Sequence, residues 1–345
     1  MKITLIIVSM LTLVGSCAHK SHREKVKDIK DAIIFQDKEA MLKYAQHIDT
    51  TDLKAHLSEL SSDAYQGRKT GEIGFDKAAK YVANYYKSQH IASPLDSSNY
   101  FQNIPKSALT KDLKASKNVV AFIEGSTHAD EILVISSHLD HLGMSGDTIY
   151  NGADDNGSGT SALLEIAQAF NNAKKDGFAP KRSILFLHFT GEEQGLFGSK
   201  FYSEHPIFPL KNTVADLNID MIGRVDTPHK NTPNYLYIIG ADRLSTELHY
   251  ISEKANDKLS NLILDYKFNA ESDINQYYYR SDHYNFAKHN IPVIFYFNGG
   301  HEDYHKSSDT AEKINYPLLK KRSDLIFYTA WHLANSDKRI VADKI

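Results

Sequence analysis

The chain has 345 residues, with 41% hydrophobic and 24% charged residues, which suits one large globular domain or two smaller ones. A formal net charge of −3 gives no electrostatic footprint for nucleic acid, so none is expected as a partner. With Cys17 its single cysteine, the chain has no internal disulfide framework.

The N-terminus, MKITLIIVSMLTLVGSCAHK, places Lys2 before an apolar run from Ile3 to Val14, followed by small residues. The run is short for a membrane span and fits a signal peptide. Val14-Gly15-Ser16-Cys17 resembles a bacterial lipobox. Residues 1–17 are therefore expected to be a lipoprotein signal. Export would then leave the chain in the bacterial cell envelope, held to the membrane only by a lipid on Cys17. The mature chain would keep no thiol and would draw its stability from its core and bound metal.

Residues 18–50 are charged and helix-prone and read as a tether with helices. Residues 51–345 read as one domain without repeats. Leu53, Leu57 and Leu60 mark a first amphipathic helix, and Ala78, Tyr81, Val82 and Tyr85 a second, around a glycine-rich turn. Short apolar runs then alternate with helical patterns. NVVAFIEG and EILVISSH predict strands, followed by a helix at 157–171. SILFLHFT predicts a strand, with a helix after Gly195. VADLNID and YLYIIG predict strands, followed by a helix at 244–259. PVIFYF is a late strand and 316–335 a closing helix. This alternation predicts an α/β fold, a mostly parallel, twisted mixed sheet with helices on both faces.

Open α/β sheets bind ligands beyond the carboxyl ends of their strands. EILVISS is followed by His138, Leu139 and Asp140. SILFLHFT is followed by Glu192 and Glu193, and VADLNI by Asp220. PVIFYF is followed by a loop with His301, His305 and Asp309. The NGADDNGSG loop, with Asp154 and Asp155, opens the helix at 157–171. These side chains are expected to share one edge of the sheet. Histidine with carboxylates and no thiolate is a ligand set for Zn²⁺ or another divalent ion, and this many candidates suggest two ions sharing a carboxylate. Two ions can polarise a carbonyl and activate a water, and a spare carboxylate can accept the proton. On those terms one glutamate of the Glu192-Glu193 pair ligates and the other acts as base.

SSHLDHLG, NGADDNGSG, FTGEEQGLFGS, LNIDMIGR and YHKSSDT, in this order, resemble the M28 family of zinc aminopeptidases, and LSSDAYQGRKTGEIGFDKAAKYV resembles the leader of its bacterial members. The resemblance covers roughly residues 50–340. It implies that His138 and Asp220 hold one zinc, Glu193 and His305 the other, with Asp155 bridging, so two Zn²⁺ per chain. It implies Glu192 as general base and Asp140 as the carboxylate that orients His138. Tyr304 would bond the oxyanion and His283, in RSDHYNF, would sit on the substrate side. Asp154 is expected to be structural and His141 incidental, and the Tyr277–Tyr279 run is expected to line the substrate cleft. The implied activity is removal of the first residue from peptides with a free N-terminus. A glutaminyl cyclase on a related site and a non-catalytic binding protein of the same fold are the alternatives.

Overall fold

The computed structural model describes residues 20–344 apart from 97 and 111. The signal and lipid-anchor expectation at residues 1–17 lies outside the described residues. The strands are β1 (Phe101–Ile104), β2 (Ser116–Ile123), β3 (His128–His138), β4 (Gly143–Ser145), β5 (Thr148–Tyr150), β6 (Arg182–Phe189), β7 (Thr213–Ile219), β8 (Tyr235–Ile239), β9 (Ile263–Asp265) and β10 (Val293–Phe297). The helices are α1 (His22–Ala32), α2 (Lys38–Ala45), α3 (Thr50–Leu60), α4 (Ile73–Ser88), α5 (Gly159–Lys175), α6 (Phe197–Glu204), α7 (Ala241–Leu244), α8 (Thr246–Ala255), α9 (His283–Ala287) and α10 (Tyr316–Asn335).

Eight strands form one sheet in the order β1-β2-β6-β3-β7-β10-β8-β9. The centre, β6-β3-β7-β10, is parallel. The β1-β2, β2-β6 and β10-β8 pairs are antiparallel, so the sheet is mixed. Its central strands are buried on both faces, as their near-continuous apolar runs require. Alternate side chains serve the two faces. Leu133 and Ile135 join a core with Leu53, Leu57 and Leu60 of α3 and with helices α5 and α10, where Trp331 is buried. Ile132 and Val134 face the other core, with Tyr202 of α6 and Phe286 of α9.

The two leader helices form as expected. Asp49 caps α3 through the amides of Thr51 and Asp52, which satisfies donors that a helix N-terminus leaves free. Between them, Gln66, Gly67 and Arg68 all take positive φ, folding the chain back over the sheet edge. A Cβ on Gly67 would stand 2.3 Å from the Gly143 carbonyl oxygen, so only glycine allows this approach to the β4-β5 hairpin. The edge strands β1 and β9, and this hairpin, have no counterpart in the expected elements. They have three or four residues each, too few to carry a period.

Candidate metal centre

His138 is the last residue of β3, and Asp220 directly follows β7, the parallel neighbour of β3. Glu192 and Glu193 follow β6 on the other side of β3, and Asp155 stands in the tight turn before α5. His305 comes from the loop after β10 with φ of 57°, a left-handed turn that directs its ring inward. The expected convergence of these side chains is present.

His138 Nε2 lies 3.1 Å from Asp220 Oδ1 and 3.4 Å from Asp155 Oδ1. His305 Nε2 lies 3.1 Å from Asp155 Oδ2 and 3.0 Å from Glu193 Oε2. Asp155 thus presents one oxygen to each group. Ligand atoms of His138, Asp155 and Asp220 lie within 4.8 Å of one another, and so do those of His141, Asp155 and Glu193. His141 is therefore not incidental to the site. It is fully buried, its Nδ1 is 2.7 Å from Glu193 Oε1, and its ring stands edge-on to His305 at 5.9 Å. It occupies the third position after His138, a spacing that the sequence displays in HLDH but that alone does not fix a side chain's direction.

These residues fit divalent ions. His141 Nδ1 and Nε2 and Glu193 Oε1 are buried yet make no hydrogen bond, which leaves them open to a cation. Burial acts to lower His138 and His305, but the adjoining carboxylates reverse this, raising His138 well above the ordinary imidazole range and His305 to about 10. The carboxylates thus demand positive charge here, which a bound cation supplies without protonating its ligands. Burial pushes Glu192 up; His138 opposes this, while Asp220, Glu193 and Asp282 add to it. A carboxylate raised in this way is a better proton acceptor than a solvated one.

Several residues brace the ligands. The orientation of His138 differs from expectation: its Nδ1 is 3.1 Å from the main-chain carbonyl oxygen of Asp140 and 3.9 Å from that residue's carboxylate. The backbone carbonyl is the closer acceptor and fixes the tautomer that leaves Nε2 free to ligate. The Asp140 carboxylate instead accepts the Glu192 amide at 3.2 Å and the Thr70 hydroxyl at 3.1 Å. Ser281 donates to Asp220 Oδ2 at 2.7 Å. Asp309 accepts the amides of Asp154 and Asp155, clamping the bridging loop. Asp154 accepts the Gly223 amide and lies 3.1 Å from His301 Nε2, a structural role as expected.

A narrow cleft opens beside Asp155, Glu192, Glu193 and Asp220, walled by Met221, Tyr277, Phe295, Phe297 and Tyr304, with Arg280 as its cation. Tyr304 stacks on His305 with ring centroids 3.9 Å apart. Burial and then the nearby carboxylates push its hydroxyl up, keeping it a proton donor. Of the aromatic run, Tyr277 lines the cleft, Tyr278 is buried and Tyr279 is exposed. His283 is not on the substrate side. It is wholly buried, its ring 4.9 Å from Phe295 and 5.6 Å from Tyr278, and its nitrogens make no hydrogen bond. The HYNF segment forms α9, whose first turn faces the core rather than the cleft.

The cluster of histidines and carboxylates sharing Asp155 at the strand ends of a mixed sheet has the make-up of a metal-binding site. The model of "Peptidase family M28" matches residues 118–330, well over half of the chain, and the protein belongs to that family. It is 28% identical over 310 residues to leupeptin-inactivating enzyme 1 of Streptomyces exfoliatus, an alignment covering 83% of this chain and 62% of that protein. The LapA aminopeptidase of Legionella pneumophila superposes with a TM-score of 0.69 at 20% identity, covering 89% of this chain and 78% of that one. BSAP, a zinc aminopeptidase from Bacillus subtilis, superposes with a TM-score of 0.65 at 17% identity, covering 86% and 99%. These likenesses establish the fold.

Proposed function

We propose that the protein is a metallo-aminopeptidase that hydrolyses the first peptide bond of peptides with a free amino terminus, with two divalent ions, Zn²⁺ foremost. The observation that carries this reading is Asp155, whose two oxygens face two separate ligand groups with Glu192 beside them. His138 and Asp220 would hold one ion, and Glu193, His305 and His141 the other. The bound ions would polarise the scissile carbonyl and acidify a water. Glu192 accepts the proton of the attacking water and returns it to the leaving amine. Tyr304 donates a hydrogen bond to the oxygen that gains charge. Tyr277, Phe295 and Phe297 favour an apolar first side chain.

Sequence relatives named as aminopeptidases support hydrolysis over glutamine cyclisation. The test is mass spectrometry of three peptides with metal analysis of the same preparation. A Leu-leading peptide is expected to lose its first residue, its N-acetylated form to stay intact, and a Gln-leading peptide to form little pyroglutamate. Cyclisation of the third without cleavage of the first would overturn the assignment.

We also infer export and lipid attachment through Cys17, supported by the apolar run and the Val14–Cys17 motif. Among the described residues no helix is long and apolar enough to cross a membrane. Cys17→Ser is expected to move the protein from the membrane fraction to the soluble one; unchanged partitioning would refute the anchor.

A further inference from the structure

The turn between α3 and α4 lies before the stretch that the family model matches, yet it reaches the metal centre. Arg68 is 1% exposed and has no carboxylate within ion-pairing distance among the described residues. Its guanidinium spends its donors on main-chain carbonyls instead. Nε donates to Leu139 at 2.9 Å, Nη1 to Leu60 at 2.8 Å and Asn151 at 2.6 Å, and Nη2 to Gly152 at 2.9 Å. Leu139 stands between His138 and Asp140, and Gly152 opens the turn that carries Asp155. The Arg68 carbonyl in turn accepts the His141 amide at 3.2 Å. One side chain thus joins the loops that present ligands from β3 and from the start of α5.

Thr70 makes a second link. Its hydroxyl donates to Asp140 Oδ2 at 3.1 Å and accepts the Gly191 amide at 2.9 Å. Asp140 Oδ1 accepts the Glu192 amide at 3.2 Å. Thr70, Asp140 and the backbone at Gly191–Glu192 therefore form a closed ring that fixes where the glutamate pair starts. A buried cation without a partner carboxylate is costly, and the nearby negative groups are those of the centre itself. Burial lowers the Arg68 guanidinium to about 10, and Asp155, Asp309, Asp140 and Glu193 oppose this by favouring its charged form.

We propose that the leader turn Gly67–Thr70 is a working part of the metal centre, with Arg68 and Thr70 as positioning residues that lock the loops at 138–141 and 152–155 and the loop at 190–193 into one geometry. This rests on the metal-centre reading above. It assigns to the leader a role that packing alone would not require, since a packing residue needs only volume whereas these two need donors at fixed places.

The test uses the full chain and zinc alone as probe. Zinc affinity is measured by competition with a chromophoric chelator, and kcat and KM are measured on a leucine anilide. Thr70→Val keeps the shape and removes the hydroxyl. It is expected to weaken zinc binding about 10- to 100-fold and to lower kcat about tenfold with KM nearly unchanged. Thr70→Ser is expected to restore both. Arg68→Lys keeps the charge but not the planar fork, and is expected to lose zinc affinity to a similar extent. If Arg68→Lys does not fold, the threonine pair still decides. Wild-type zinc affinity and kcat in Thr70→Val, or failure of Thr70→Ser to rescue, would overturn the proposal while leaving the metal reading intact. A wild-type chain that takes up no zinc would sink the metal reading and this proposal with it.

Discussion

His141 Nδ1 lies 2.7 Å from Glu193 Oε1, and neither atom is engaged in a hydrogen bond. Two buried polar atoms this close and unbonded are placed to share a cation. His141→Phe fills the same space without the nitrogens. It is expected to weaken the hold on one of two zinc ions about 10- to 100-fold and leave the other in place. Equilibrium dialysis with metal analysis reads this directly. Two ions bound with unchanged affinity would make His141 a packing residue.

Glu192 and Glu193 are neighbours with different surroundings. Glu193 lies 3.0 Å from His305, whereas Glu192 is in the cleft wall with its amide tied to Asp140. Glu192→Gln is expected to retain metal and lower kcat roughly 10²- to 10⁴-fold, the usual contribution of a general base. Glu193→Gln is expected to lose metal first. The reverse pattern in a joint metal and rate measurement would exchange the two roles.

Gly67 has φ of 65°, and a Cβ there would stand 2.3 Å from the Gly143 carbonyl oxygen and 2.4 Å from that of Tyr150. Gly67→Ala is expected to destabilise the fold by on the order of 2 kcal/mol or more, because the turn can neither relax φ nor withdraw from the hairpin without breaking the Arg68 bonds. Urea unfolding measures it. A loss below about 0.5 kcal/mol would show that the turn yields easily.

His283 is buried and held down to about 3, chiefly by burial. Its unfolded value is about 6.5. The folded pKa is the lower one, so this group's contribution to stability is complete above pH 6.5 and is lost as pH falls toward the folded value. Between pH 6.5 and pH 5 that loss reaches about 2 kcal/mol, at 1.36 kcal/mol per unit. His283→Phe removes the titration, so its stability relative to the parent is expected to rise by up to that amount as pH is lowered from 7 to 5. Activity at pH 7 should be largely retained, because the ring does not reach the cleft. A parallel pH dependence of the two proteins, or a collapse of kcat, would contradict this placement.

The sequence by itself determined the alternation of strands and helices, because apolar runs of strand length and the 3.6-residue period are local properties. It also determined that His138, Asp155, Glu192, Glu193, Asp220 and His305 meet, since parallel strands deliver their carboxyl ends to one edge whatever the details of packing. Only the tertiary structure decided which of two similar signals points inward. His141 faces Glu193 and His283 faces Phe295, although both adjoin motif residues, and the loop backbone rather than the spacing sets the direction. It likewise decided that Asp140 meets His138 through its carbonyl and Glu192 through its carboxylate. The edge strands β1 and β9, each a few residues long, are defined by the neighbour they pair with. Arg68 and Thr70 were hidden for the same reason. Their partners, Leu139, Gly152, Asp140 and Gly191, lie 70 to 121 residues away in the chain, and only the folding of the leader over the sheet edge brings donor and acceptor together.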